Sequence, residues 1–573
     1  MPVIPSAAGR SPLRRALILF VAIAALTVPA IALAAKPPGS GAGQNTTIKI
    51  LDISDWHAQI DPNGGVGGAE ALSDYFKTER ASSPNSITLT AGDDFGAAPP
   101  ISAFFDEIPA VKAERLMGIQ VGTFGNHNFD AGIGNLQDRI DQAADPNEVG
   151  SPYEYVSANL DNRDDNLTGV KDYKIFEFDG VKVAVIGLTN PEAPGLVFPG
   201  NFGTIVPSDP IAAANRARAA ARAEGAKVFV IICHMGIEGT ANGQAFGPLV
   251  DLANGLTGFD VIIGDHTNFL YTQTINGQLV VENLSKSLSY SRIELVVRRG
   301  TQQVVSKTNT FVTPTSAGHT DAAIATMLQP YRDQLAPILN VNVGSSTVVI
   351  PRSDSCGRSD GRLCESKIGD VITDSMRDRY ATDFAITNSG GIRSNLTCPS
   401  PDVANDFCPS FTPPPYPITR GQTFTVLPFG NFTVTVEMTG AELKSMIESG
   451  ISLMPGAQGR FPQVSGLCFT YDISAVAGSR VTGAVRQAAD GTCSGAPVDL
   501  TAAATYDVAM NDFMATGGDG YPKFATERIK SDGTTLEQTL ADYVTANSPL
   551  SPAIQGRIVC TTSGATACPV ATP

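Results

Sequence analysis

"TIKILDISDWHAQ", residues 47–59, runs an apolar, β-branched segment straight into Asp55, Trp56 and His57. A short run of this kind reads as a buried strand, with Asp55 and His57 emerging where the strand ends. In layered α/β folds the loops beyond strand C-termini collect the chemistry, so the residues just past each such strand are the informative ones. Four more stretches repeat the pattern. "SITLTAGDDFG" (86–96) delivers Asp93, and "TFGNHNFDAG" (123–132) delivers Asn126, His127 and Asp130. "VFVIICHMG" (228–236) delivers His234, and "DVIIGDHTN" (260–268) delivers His266 and Asn268. Between them "VKVAVIGL" (181–188) reads as another buried strand and "PIAAANRARAAARAEGA" (210–226) as a helix, so the first half of the chain is α/β.

The chain has five histidines, and four of them fall in these loops. Taken singly, a histidine after a strand is an ordinary hydrogen-bonded loop residue and Asn126 an ordinary turn former. Taken together, the loops supply carboxylate, imidazole and amide-oxygen donors from several strand ends, the mixture a site for two divalent metal ions needs.

Export is expected from the N-terminus. Arg10, Arg14 and Arg15 precede "ALILFVAIAALTVPAIALA", and Ala32-Leu33-Ala34 supplies small residues for cleavage, so residues 1–34 read as a signal peptide. No second apolar run long enough to span a bilayer comes later, so no integral span is expected in the mature chain. Removing the leader takes away three arginines and no acidic residue, moving the formal charge from −16 to −19. Such a surface repels polyanions and argues against a nucleic-acid polymer as partner. Eight of nine cysteines lie after residue 350 as near neighbours: Cys356 with Cys364, Cys398 with Cys408, Cys468 with Cys493, Cys560 with Cys568. That sequential pairing is the simplest available and suits a periplasm, cell envelope or secreted location. Cys233 is left over, at the end of an apolar run, as a buried inert thiol.

The organisation changes near residue 315. A polar turn leads into "DAAIATMLQPYRDQLAPIL" (321–339), read as a helix interrupted at Pro330, and a second domain comes after it. The expected divisions are 46–312 for the first domain, 313–345 for the linker helix, 346–556 for the second domain and 557–573 for a disulfide-pinned tail. The second domain carries "GRLCESKIGD" (361–370) with Arg362, and "ITNSGGIRSNL" (386–396) with Asn388, Gly391 and Arg393. It also carries "VLPFGNFT" (426–433) with Phe429 and Asn431, and "MNDFMATGGDGYP" (510–522) with Phe513 and Asp519. By themselves the phenylalanines are core residues and the glycines turn formers. In combination, two phenylalanines can sandwich a planar ring, a carboxylate can accept from ribose hydroxyls, and arginine offers a planar donor fork.

In their order, Asp-x-His, Gly-Asp, Gly-Asn-His-x-Phe-Asp, His and Gly-x-His-x-Asn resemble the calcineurin-like metallophosphoesterases. Among these they are similar to the exported 5'-nucleotidases, a family that includes UDP-sugar hydrolases and 2',3'-cyclic-nucleotide phosphodiesterases. The resemblance covers nearly the whole mature chain. It implies a four-layer metallophosphoesterase β-sandwich flanked by helices, then a smaller α+β substrate-binding domain. It also implies two divalent ions (zinc, manganese or similar), with Asp55, His57 and Asn268 on one, Asn126, His234 and His266 on the other, and Asp93 bridging. His127 would serve the leaving oxygen, oriented by Asp130. In the second domain Phe429 and Phe513 would stack on the base, Asp519 would contact the ribose, and Arg362, Asn388 and Arg393 would hold the polar part, with Gly391 and Asn431 in the same loops. The implied activity is release of phosphate from nucleoside 5'-monophosphates by metal-activated hydroxide. Hydrolysis of UDP-sugars or cyclic phosphodiesters is the near alternative, and a non-catalytic nucleoside-binding surface protein the distant one. Three positions depart from the commonest family pattern: Asn128 where Glu is usual, Asp265 where Gly is common, and Asn268 where His or Gln is usual. The last touches an expected ligand, so an altered metal preference is expected.

Overall fold

The computed structural model describes residues 44–241, 243–400 and 407–570; the expected signal peptide lies outside them. The opening strand is Asn45–Ile53 (β1), and its side chains alternate as a strand's must. Ile48 and Ile50 enter a core between two sheets, while Leu51 and Ile53 face an outer helical layer. Ser86–Thr90 (β2) and Val121–Gly122 (β3) continue the sheet in parallel, and Tyr290–Arg298 pairs antiparallel on the other side of β1, with Gln303–Val312 antiparallel beyond it at the edge. The facing six-stranded sheet is built on Val181–Leu188 (β4), Val228–Cys233 (β5) and Val261–Ile263 (β6), all parallel to one another.

Helices cover both outer faces. Ala69–Ser82 (α1), Ile108–Met117 (α2) and Gly132–Ala144 (α3) pack through Leu72, Phe76, Val111, Met117, Leu136 and Ile140 onto the first sheet. Pro210–Ala223 (α4) and Pro248–Gly255 (α5) cover the second, α4 through a stripe of Ala213, Ala214, Ala217 and Ala221 that lets it lie close. This is the four-layer α/β/β/α sandwich that the resemblance implies. Burying each large aliphatic side chain contributes about 1.5–3 kcal/mol. The continuous apolar runs of β4 and β5 result from being covered on both faces.

The connector differs from expectation. Ala322–Leu339 (α6) is one helix that carries Pro330 and Pro337 inside it instead of breaking at Pro330. Each proline removes a backbone donor, yet Ile324, Leu328, Leu335 and Leu339 bury one face along its whole length, and that packing outweighs the lost bonds. Asp321 caps the helix by accepting from the Ala323 amide at 3.0 Å and also accepts from Ser73 Oγ at 2.5 Å, tying α6 to α1.

Beyond it, Phe384–Asn388 (β7), Thr433–Thr439 (β8) and Thr505–Asn511 (β10) form the centre of a mixed five-stranded sheet. A smaller three-stranded sheet contains Leu467–Asp472 (β9) and Ile558–Thr561 (β11). β11 belongs to the stretch expected as a tail, but it pairs parallel to β9, with Ile558 and Cys560 packed on the core behind it. All four expected disulfides are present, and Cys233 is free and buried, its thiol pushed far up by burial. Among the described residues no helix is long and apolar enough to cross a membrane.

Candidate functional site

The loops leaving β1, β2, β3, β5 and β6 meet at one end of the sandwich. His234, fully buried at the end of β5, places Nε2 2.9 Å from Asp93 Oδ2, 3.1 Å from His266 Nδ1 and 3.8 Å from Asp55 Oδ1. His57 Nε2 lies 3.5 Å from the same Asp55 oxygen, and its Nδ1 is fixed 2.9 Å from the Gly96 carbonyl. Three overlapping triads have ligating atoms close enough to share a cation: Asp93 with His234 and His266, Asp55 with His57 and Asp93, and Asp55 with His234 and Asp265.

Backbone strain concentrates here. Asp55, His57, Asp93, His266 and Asn268 all have positive φ, between 43° and 95°, a conformation that persists only where surrounding structure enforces it. Two glycines make the convergence possible. A Cβ on Gly125 would lie 2.1 Å from Asp93 Oδ1, and one on Gly92 would lie 2.8 Å from His234 Nδ1.

Charges and orphaned atoms point the same way. Burial alone would raise Asp93, but the adjacent His234, His127 and His57 hold its carboxyl well below the usual range. Burial would lower His234, but Asp93 and Asp55 push it up to about 9; burial and then the His234 charge push His266 down to about 3. The side-chain oxygens of Asn126 and Asn268 are buried with no hydrogen-bond partner. A buried acceptor left bare costs about 1–3 kcal/mol, and a hard cation satisfies it. The donor set of carboxylate, imidazole and amide oxygen therefore fits a divalent metal ion.

Beside the cluster lies a cavity of about 460 Å³ whose walls come from both halves of the chain. Asn126, His127, Asp130 and His266 face it from the sandwich. Every expected substrate residue faces it from the other half: Arg362, Asn388, Gly391, Arg393, Phe429, Asn431, Phe513 and Asp519. Local bonds hold these groups in place. Asn388 bridges Asp519 Oδ2 at 2.7 Å and the Asn511 amide at 2.9 Å, and Asn431 donates to Asp512 at 2.9 Å. Arg393 reaches across with Nη2 3.5 Å from His57 Nε2 and its guanidinium 5.7 Å over the Phe429 ring, while burial and then Arg362 lower it to about 10. The Nε atoms of Arg362 and Arg393 are buried without a partner. Phe429 stacks on His127 at 5.6 Å, and Phe513 packs over Gly518, where a Cβ would lie 2.2 Å from its ring.

Several participants have roles that the sequence reading did not assign. Asn128, visible there only as a departure from the usual Glu, accepts from the Gly125 and Asp93 amides at 2.8 and 3.1 Å and donates to Asp94 at 2.6 Å, locking two site loops together. Asn201 donates to the Asp130 carbonyl at 2.6 Å, and Phe202 stacks on Phe129 at 3.8 Å, bracing the His127 loop from a segment with no motif. Lys286 donates to the Arg393 carbonyl at 3.2 Å, and Arg352 stands near Arg393 and Arg362, its guanidinium lowered by burial and by their charges.

The comparisons with known proteins agree with this geometry. Residues 342–526 match the family model "5'-nucleotidase, C-terminal domain". The chain is 28% identical over 537 residues to the endonuclease YhcR of Bacillus subtilis, covering 90% of this chain but only 41% of that protein's length. It is 25% identical to the 5'-nucleotidase of Vibrio cholerae, covering 94% of this chain and 98% of the other. The crystal structure of a 5'-nucleotidase precursor from Thermus thermophilus superimposes with a TM-score of 0.76 at 26% identity, over 91% of this chain and all of that one. The fold is that of the two-domain metallophosphoesterases. Residues 342–526 thus carry the features of a 5'-nucleotidase C-terminal domain, and over nearly its whole length the chain is similar to 5'-nucleotidases.

Proposed function

We propose that this protein is an exported hydrolase that releases phosphate from nucleoside 5'-monophosphates. The observation that carries the reading is the shared cavity: Asn126 and His266 of the metal-ligand set, with His127, on one wall, and Arg362, Arg393 and two phenylalanines on the other. We assign the sandwich to 46–312 and the substrate domain to 346–556, joined through α6, with the family match at 342–526 in support.

Asp55, His57 and Asn268 would hold one divalent ion, Asn126, His234 and His266 a second, and Asp93 both. Bound ions of this kind supply Lewis acidity toward phosphoryl oxygens and lower the pKa of water. The chain's own groups do the rest. Arg362 and Arg393 line the cavity, and arginine's fork geometry suits phosphoryl oxygens. His127 lines the cavity with Nδ1 engaged by Asp130, which orients the ring so that, as the imidazolium, it could pass the Nε2 proton to the leaving ribose oxygen. Phe429 and Phe513 supply flat apolar surface for a base, and Asp519, held by Asn388, a carboxylate for ribose hydroxyls. Export is supported by the four disulfides and the leader-like sequence at residues 1–34.

Phosphate release from AMP, measured after chelation and again after restoring manganese, zinc, magnesium or calcium, tests the reading. Activity restored by metal supports it, and no release under any metal refutes it. A second reading, hydrolysis of sugar nucleotides, is favoured by Arg352, a third guanidinium beside Arg393 and Arg362. Turnover of UDP-glucose exceeding that of AMP would favour it.

A further inference from the structure

Asp265 occupies the position where the family commonly has glycine, and the structure gives it specific partners. It comes just after β6 and immediately before His266, is fully buried, and its Oδ2 accepts from the Asp55 amide at 2.6 Å. Asp55 Oδ2 in turn accepts from the His266 amide at 2.8 Å. The two loops, which leave different sheets, are therefore clasped in both directions. The Asp265 amide also donates to the Met235 carbonyl at 3.0 Å, joining the His234 loop to the same knot.

The second relationship concerns His234. Its Nε2 faces Asp93, His266 and Asp55, the metal side, whereas its Nδ1 faces the other way, toward Asp265 Oδ2 at 3.7 Å. Both His234 Nδ1 and Asp265 Oδ1 are buried without a hydrogen-bond partner. Metal-binding histidines commonly give their second ring N–H to a carboxylate, which fixes the tautomer, orients the ring and raises its donor strength; loss of such a partner costs about 10–100-fold in metal affinity.

We infer that Asp265 is a positioning residue for the metal site, bracing the Asp55 main chain and backing the His234 imidazole, so that this chain carries an anchor that a glycine there would lack. The inference rests on the proposed role of His234 and Asp55 as metal ligands. It would offset the weaker donor Asn268 within the same loop.

The test uses the full chain stripped by chelator, with zinc and manganese titrated separately by calorimetry, bound ions counted by elemental analysis and the metal-free Tm recorded. Asp265→Asn keeps an oxygen for the Asp55 amide but replaces the carboxyl group facing His234 with an amide, and Asp265→Gly restores the common family residue and removes both contacts. The expected result is the wild-type number of ions in both variants, bound at least about 10-fold more weakly, with Asp265→Gly the weaker. Wild-type affinity in Asp265→Asn would overturn the inference. Should stripped wild-type protein bind neither metal, the metal-site reading itself falls and this inference with it; wild-type binding with unaffected variants removes the inference alone.

Discussion

His127 Nδ1 lies 2.9 Å from Asp130 Oδ2, and the same carboxylate oxygen accepts from the Ala97 amide at 3.1 Å. The Asp130 main chain is itself held by Asn201. The imidazole is thus fixed from behind while its other nitrogen faces the cleft. His127→Ala should lower kcat by about 10²–10⁴-fold with metal content unchanged, because the ring acts on a proton and not on the ions. Phosphate release alongside elemental analysis checks this; loss of an ion from the variant would instead make His127 a ligand.

Metal dependence should vary with pH in a defined direction. In the metal-free protein His234 is raised to about 9, so the stability it contributes is complete below its ordinary value near 6.5 and is lost as pH rises through 9. Asp52 and Glu282, each pushed up to about 8 by burial, are stabilising in their protonated forms and lose that contribution over an overlapping range. The Tm of stripped protein should fall between pH 6.5 and 9. Restored divalent ions, which bind the deprotonated ligands, should raise it more at pH 9 than at 6.5. Thermal melts with and without metal at three pH values decide it.

Asn128 holds two buried amides and one carboxylate. Asn128→Ala should destabilise by about 2–4 kcal/mol, since the Asp93 and Gly125 amides lose their acceptor. Asn128→Glu, the usual family residue, would set a carboxylate against Asp94 and should be rescued by Asp94→Asn. Denaturant unfolding of the single and double variants gives the coupling, and additive effects would show that the two side chains act independently.

Phe429→Ala and Phe513→Ala should raise KM for AMP by about 10-fold or more each and leave turnover of ribose 5-phosphate nearly unchanged, because a base-free ester has no ring to stack. Equal losses on both substrates would place the two rings in the packing of the cleft and not in base recognition.

The sequence by itself determined the α/β patterning of the first half, the loops beyond its strands and the cysteine pairing, while the sandwich was what the resemblance implied. Strands such as Val181–Leu188 are covered on both faces and so read as unbroken apolar runs, and histidines are few enough that four beyond strand ends stand out. Near-neighbour cysteines close short loops, so their pairing was local as well. Only the tertiary structure decided what depends on distant segments meeting. The prolines of α6 are tolerated because tertiary packing holds the helix, β11 joins a sheet whose partner lies far back in the chain, and Asn128 has meaning only once Asp94 is beside it. Asp265 is the clearest case. Its identity was visible as a departure from glycine, but its partners, Asp55 and His234, are brought to it by strands of two different sheets. Local sequence records propensity and burial; a side chain's partner across the fold is set by packing that no single segment encodes.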